Sequence, residues 1–304
     1  MKAAAPHVAW LERLKLPTAR PEELGLARIL LFGFLAVGNL HRETALWLPF
    51  AELDFRPPAL IGALDLHFAS AGVLQAADIA WVLLLLASAA GIFTRFAMAG
   101  SLLLGVYLLG LPHAVGKTHH SDAILVFVLA GMALSRAGDA WSLDALLARK
   151  KGRAAPEASV EYAWPLYFAL LCLVLVYFAA GIAKLRATGL AWAWNDGGRL
   201  RLIAHTYTHD PPTRLGLYLA DAGPAHQVMG CFALALEVLC PLALVSRWAR
   251  LFVVGGLFSL QFGIWLTLGV FFQGFFALFA ICIPWLELRD MVAGYLARRR
   301  AAAP

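Results

Sequence analysis

Charge is scarce in this chain. Of its 304 residues only 14% are Asp, Glu, Lys or Arg, against about 25% in a typical soluble domain. With a hydrophobic content of 61% and a mean hydropathy of +0.73, this excludes an ordinary water-soluble enzyme. Cysteine is scarce too. Cys172, Cys231, Cys240 and Cys282 all lie inside apolar runs and none forms a CxxC pair, so they read as small packing residues rather than disulfide or metal-binding thiols. Also missing are a Gly-rich phosphate loop, a Ser-His-Asp pattern, a CxxCH haem motif and any nucleic-acid signature. Residues 1–23 are mixed polar and lack an apolar core followed by a small-residue cleavage site, so no cleavable signal peptide is expected. Without internal repeats or low-complexity linkers, residues 1–304 read as a single membrane domain.

What the chain does have is a series of uncharged apolar runs near 20 residues long. They lack the polar–apolar alternation of a strand barrel. They predict an all-α, polytopic transmembrane helical bundle of about eight spans. The spans fall near Leu26–Leu40, Ala76–Phe93, Phe96–Leu111, Asp122–Leu134, Trp164–Ala183, His226–Val245, Leu251–Leu268 and Val270–Leu286. The last two are joined so tightly around Gly269 that the eighth reads either as a span or as a re-entrant segment. Residues 1–24 form an interfacial N-terminal segment, with Val8–Leu14 as a short surface helix. Residues 25–286 form the bundle and 287–304 a basic tail. Membrane lipid is the first expected partner, and nucleic acid is not one.

The net charge of +6 reports orientation. Arg95, then Arg136, Arg149, Lys150, Lys151 and Arg153, then Arg247 and Arg250, and finally Arg298, Arg299 and Arg300 all fall on one side of an eight-span bundle. The positive-inside rule makes that side cytoplasmic, both termini included. Arg186, Arg199, Arg201 and Arg214 on the other side weaken the asymmetry, partly offset by Asp196, Asp210 and Asp221. The expected location is a bacterial inner membrane, with the polar chemistry gathered on the non-cytoplasmic face.

Lys184 stands out first. It ends an uncharged run that begins at Trp164, and it shares a helix face with Tyr177 and Gly181 through i, i+4, i+7 spacing. A cation at the edge of a membrane core is hydrated, paired or used. Lys184 reads either as a snorkelling side chain or as a base or anion-binding cation. His119, His120 and Asp122 open the fourth span. They read either as a proton-handling histidine with a carboxylate that fixes its tautomer or as ordinary helix-capping polarity. Glu237, the deepest ionisable residue, must be protonated or paired. Pro241 frees the Glu237 carbonyl from its helical hydrogen bond, and Gln261 or Gln273 are the structural partners considered for the side chain. His205 and His209, four apart, resemble a metal pair but lack an accompanying acidic ligand, so no metal is expected. Trp192 and Trp194 belong either to an interfacial belt or to the wall of a pocket for a flat ligand, with His205 beside them.

The segment Tyr177-Phe-Ala-Ala-Gly-Ile-Ala-Lys184-Leu, followed by Trp192 and Gly197, resembles the membrane region of vitamin K-dependent gamma-carboxylases and of the wider bacterial HTTM family. Three further matches are similar to family elements: Trp141-Ser-Leu-Asp-Ala145, His120-Ser-Asp122, and Glu237 with Pro241. The likeness runs from the first span to the eighth. It implies that an amine matching Lys184 deprotonates a reduced vitamin K, assisted by a histidine matching His120. The resulting anion reacts with oxygen, and the strong base so formed removes a proton from a glutamate that then adds carbon dioxide. The implied co-substrates are reduced vitamin K or menaquinol, oxygen and carbon dioxide. Lys184 and His120 are the implied catalytic residues. His119, Asp122, Tyr177 and Glu237 are supporting candidates, and Trp192, Trp194 and His205 are substrate-binding ones. The carboxylases hold peptide in a large extramembrane part with no counterpart in these 304 residues. Relatives also carry a histidine where Ser259 or Gln261 stands here. The expectation is therefore a gamma-carboxylase-like core acting on a lipid-soluble quinol. Two alternatives stay open. One is an accessory protein that matures or exports a small secreted peptide, with that peptide or a subunit as partner. The other is a small transporter, suggested by Glu237 and the break at Pro241.

Overall fold

The computed structural model describes residues 17–116, 120–191 and 197–301. Val8–Leu14 lies outside them. Among the described residues there is no strand; one isolated antiparallel bridge joins Ala19 to Ser159. The helices are α1 (Pro21–Gly38), α2 (Leu48–Leu53), α3 (Ala59–Ala63), α4 (Ala71–Ala90), α5 (Thr94–Gly110), α6 (His120–Ala133), α7 (Leu143–Lys150), α8 (Val160–Thr188), α9 (Gly197–Thr208), α10 (Leu215–Asp221), α11 (Ala225–Leu239), α12 (Arg247–Leu268), α13 (Gln273–Cys282) and α14 (Trp285–Ala301). Tight 3₁₀ turns extend α5 through Val115 and α11 through Leu244. Among the described residues five segments suffice, by length and composition, to cross a membrane: Ala71–Ala90, Thr94–Val115, Val160–Thr188, Ala225–Leu244 and Arg247–Leu268. Asp122–Ala133 and Gln273–Cys282 are shorter apolar helices. The chain is an all-α helical membrane protein.

Helix ends follow local chemistry. Pro21 occupies the first turn of α1 beside Glu22 and Glu23, where a missing N–H is harmless and negative charge complements the dipole. Gly91, at φ 70°, ends α4 in the left-handed conformation. A Cβ there would lie 2.2 Å from the Ser142 Cβ, so only glycine allows the 138–142 loop to sit on the α4–α5 turn. That loop clasps the bundle. Ser142 caps α7 by accepting from Ala145 N at 2.8 Å. Asp144 reaches across to cap α5, accepting from Phe93 N, Thr94 N and Thr94 Oγ1 at 3.1, 2.7 and 2.7 Å. Beneath the clasp Arg28 is fully buried. Its guanidinium donates to the carbonyls of Ser88, Ala89, Ala137 and Trp141.

The expected spans are all helical, but the first and the last differ in extent. The first helix is Pro21–Gly38; Leu40 lies beyond it. The last apolar run is not one helix from Val270 to Leu286. Gly269 ends α12 at φ 73°, residues 269–272 are non-helical, and Pro284 separates α13 from α14. The ten residues of α13 span about 15 Å at 1.5 Å per residue, half of a roughly 30 Å hydrocarbon core. It packs on α1, α6, α8 and α12, so protein encloses it. That enclosure is the condition under which interrupted backbone is tolerated at membrane depth. Around it, α4 packs on α1 and α5, α5 on α6, and α6 and α11 on α8.

Candidate functional site

The site is built where α8 meets α11. Tyr177, Gly181 and Lys184 lie along one face of α8. A Cβ on Gly181 would fall 2.9 Å from the Glu237 Cβ and 3.1 Å from Val238 Cγ2. The absent side chain is what lets the two backbones approach. One turn further along α8, the Lys184 Nζ donates to both carboxylate oxygens of Glu237, with Nζ–Oε2 at 2.6 Å. The carboxylate end is almost wholly buried, its side chain 7% exposed, while the lysine side chain keeps 25% of its surface open. The pair therefore has one dry member and one accessible member. A charge that would be costly alone at this depth is neutralised by its partner.

Below the pair the polar chain continues inward. Cys240 is fully buried. Its Sγ lies 3.0 Å from the Glu237 carbonyl and 3.3 Å from that of Val174, donating toward both. The carbonyl that Pro241 deprives of its helical partner is thus met by a thiol, a weak donor. The buried Tyr177 hydroxyl accepts from Gln261 Nε2 at 2.7 Å, and its ring packs against Phe275 and Phe279 of α13 at centroid distances of 5.1 and 6.3 Å. The other amide atom, Gln261 Oε1, is buried without a hydrogen-bond partner among the described residues. With the Tyr177 hydroxyl it forms a donor–acceptor corner among phenylalanines, polar enough to orient a hydroxylated ring in an otherwise apolar setting.

The structure redistributes the partners expected for Glu237. Neither Gln261 nor Gln273 takes its carboxylate: Gln261 serves Tyr177, and Gln273 Nε2 reaches the Phe34 carbonyl at 3.4 Å. The partner is Lys184, 53 residues earlier. Asp122, in the first turn of α6, lies 3.4 Å from His113 Nε2. His113 belongs to the 3₁₀ turn after α5, so a histidine does meet this carboxylate from the preceding element. His120 is the first residue of α6. Its side chain, and the whole of His119, Trp192 and Trp194, lie outside the described residues. His205, on α9, stacks on His209 with ring centroids 4.6 Å apart. Partial burial first, then His209 and Arg201, hold its pKa below the usual imidazole value. Among the described residues no three His, Cys, Asp or Glu side chains converge in a metal-binding group.

A second polar knot was not singled out from the sequence. Asp78, buried on α4, accepts from Thr44 N at 2.8 Å and Thr44 Oγ1 at 2.7 Å. Arg42 Nε stands 3.4 Å from the same carboxylate, and its guanidinium lies 5.4 Å from the Trp81 ring centroid. The available signal was one acid in an otherwise apolar run at residues 76–90, the same kind of signal that Arg28 leaves in the first span.

Comparison with known proteins follows from this geometry. A family model described as HTTM domain matches residues 18–286. That interval contains every helix from α1 to α13, with both members of the ion pair. Neither a curated protein nor a solved structure matches the chain.

Proposed function

We propose a function from one fact and one contact: the chain belongs to the HTTM family, and Lys184 is ion-paired with Glu237. The protein is then a gamma-carboxylase-like enzyme of the membrane that oxidises a reduced, lipid-soluble quinone, such as reduced vitamin K or menaquinol, with molecular oxygen. One oxygen atom enters the quinone as an epoxide and the other leaves as water, so quinol and oxygen balance epoxide and water. Proton removal from a second substrate, followed by addition of carbon dioxide, is the coupled step that the carboxylase likeness suggests.

Lys184 is the proposed base, and the pairing supplies what that role requires. An ammonium cannot accept a proton. Within a salt bridge in a low-dielectric setting, the charged pair and the neutral amine–acid pair differ by one proton moved along a hydrogen bond, and desolvation narrows the gap between them. Glu237 can take that proton and leave Lys184 as a neutral amine on the accessible side, ready to receive a proton from a quinol hydroxyl. Tyr177 and Gln261 are proposed to orient the ring. His120 is proposed as a second proton-handling group, since α6 packs on α8. Trp192, Trp194 and His205 are proposed as the pocket wall, His119 and Asp122 as its support. The site is proposed to face the non-cytoplasmic side of a bacterial inner membrane. The observation that carries the reading is the quarter-exposed Lys184 bound to the nearly closed Glu237.

The experiment incubates purified protein in lipid with reduced vitamin K or menaquinol and oxygen, and follows epoxide by mass spectrometry. Wild type should form it and Lys184→Ala should not, with both folded. Epoxide from neither protein would favour the accessory reading and turn attention to a secreted-peptide or subunit partner.

A further inference from the structure

A different part of the molecule holds arginine side chains that no group among the described residues answers. At the end of the bundle formed by the α4–α5 turn, the 135–139 loop and α7, a cavity of about 590 Å³ opens to the surface. Four arginines line it, Arg95, Arg136, Arg149 and Arg153, with two acids, Asp139 and Asp144. Both acids are committed. Asp139 accepts from Arg136 Nε and the Tyr162 hydroxyl, each at 2.8 Å. Asp144 caps α5 through three hydrogen bonds. Arg136 is likewise engaged, with Asp139 and with Glu161 Oε2 at 2.6 Å. Arg95, Arg149 and Arg153 are exposed, and among the described residues their guanidinium groups make no hydrogen bond or ion pair.

The rim of this cavity is apolar where it faces outward. Phe93 and Phe96 line it and are 73% and 80% exposed. Phe93 holds a left-handed conformation at φ 44°, which a bulky non-glycine residue adopts only where its surroundings impose it; here Asp144 grips its N–H. On the other flank, α7 exposes Leu143, Leu146 and Leu147. Arg149 is shared with a neighbouring apolar cavity of about 470 Å³, lined also by Ile92, Trp141 and Leu146. Unanswered cations in a cleft, with exposed aromatic and aliphatic side chains on both sides, match a molecule that is anionic at one end and hydrocarbon at the other.

We infer that this cleft is a binding site for an anionic phospholipid, whose phosphate sits among Arg95, Arg149 and Arg153 while its acyl chains run along Phe93, Phe96 and the leucine face of α7. Basic clefts at helix ends select anionic headgroups in this way, at about 1 kcal/mol for each Lys or Arg near the surface. The ligand holds α7 and the α4–α5 turn in the interface and so reinforces the clasp over Arg28. The inference is independent of the Lys184 site.

The test is native mass spectrometry of the full chain released from detergent after titration with dioleoylphosphatidylglycerol, with dioleoylphosphatidylcholine, or with inorganic phosphate. Wild type should retain phosphatidylglycerol and not phosphatidylcholine. Each of Arg95→Gln, Arg149→Gln and Arg153→Gln should weaken retention about fivefold, and the three together about a hundredfold. A control with Arg298, Arg299 and Arg300 changed to Gln removes the same charge from the end of α14 and should retain lipid like wild type. The substituted side chains are exposed and unpaired among the described residues, so the variants should keep their helical circular dichroism. Equal retention by the Arg95/Arg149/Arg153 variant, equal retention of phosphatidylcholine, or arginine-dependent binding of inorganic phosphate as tight as lipid would each overturn the assignment.

Discussion

Lys184 and Glu237 neutralise each other, and an unpaired charge inside a membrane bundle is costly. Removing one member is therefore worse than removing both. Glu237→Leu takes away the carboxylate that Lys184 Nζ meets and should lower stability by about 3 kcal/mol, the lower end of the usual range because Lys184 remains a quarter exposed. Lys184→Met with Glu237→Leu should regain most of that loss, read as recovery of the thermal midpoint in lipid; a double variant as unstable as the single one would mean that the pair is not the relevant interaction. Both residues were conspicuous in the sequence, one as the cation that ends an apolar run and the other as the deepest acid. Their pairing was not, because periodicity locates faces along a helix and carries nothing about which faces meet 53 residues apart. Arg28 escaped notice for a related reason. A single guanidinium in an apolar run looks like an interruption until four carbonyls from two later segments converge on it.

At the scale of helices, the approach of α8 to α11 rests on Gly181. An alanine there would push against Glu237 and Val238, and overpacking of this kind costs about 1–3 kcal/mol. Gly33 on α1 has open space where its Cβ would stand. Gly33→Ala should leave stability unchanged or raise it by up to about 1 kcal/mol, whereas Gly181→Ala should lower it and slow the proposed quinol oxidation by loosening the ion pair. Equal effects from the two substitutions would remove the close approach as an explanation. Hydropathy located each apolar helix, because a run of uncharged residues in a membrane has no other way to satisfy its backbone. For the last one it left a span and a re-entrant segment both open. The left-handed turn at Gly269 and the break at Pro284 divide a run that looks continuous in composition, and only the packing of α1, α6, α8 and α12 around α13 explains why a ten-residue helix persists there. The short helices α2, α3, α9 and α10 were equally hidden. They are too brief to carry a pattern of their own.

For the whole molecule, the two functional features proposed here sit on different elements: the ion pair on α8 and α11, the arginine cleft on the α4–α5 turn, the 135–139 loop and α7. The charge distribution predicts that they face opposite sides of the membrane. A cysteine placed at Thr208, on α9, should react with an impermeant maleimide in intact cells, and one placed at Lys151, after α7, only after permeabilisation, in a background with the four native cysteines changed to alanine. Reversed labelling would invert the proposed orientation. Membership of the HTTM family and the helical architecture do not depend on that outcome, but the reading of Lys184 as a base serving lipid-soluble quinol does depend on chemistry. The most direct measurement is epoxide formation from reduced vitamin K or menaquinol by wild type and by the Lys184→Met/Glu237→Leu double variant, both reconstituted in lipid and both verified as folded. Epoxide from the wild type and none from the stable double variant is the predicted result; epoxide from both at comparable rates would show that the ion pair only holds the helices together and would contradict the proposed mechanism.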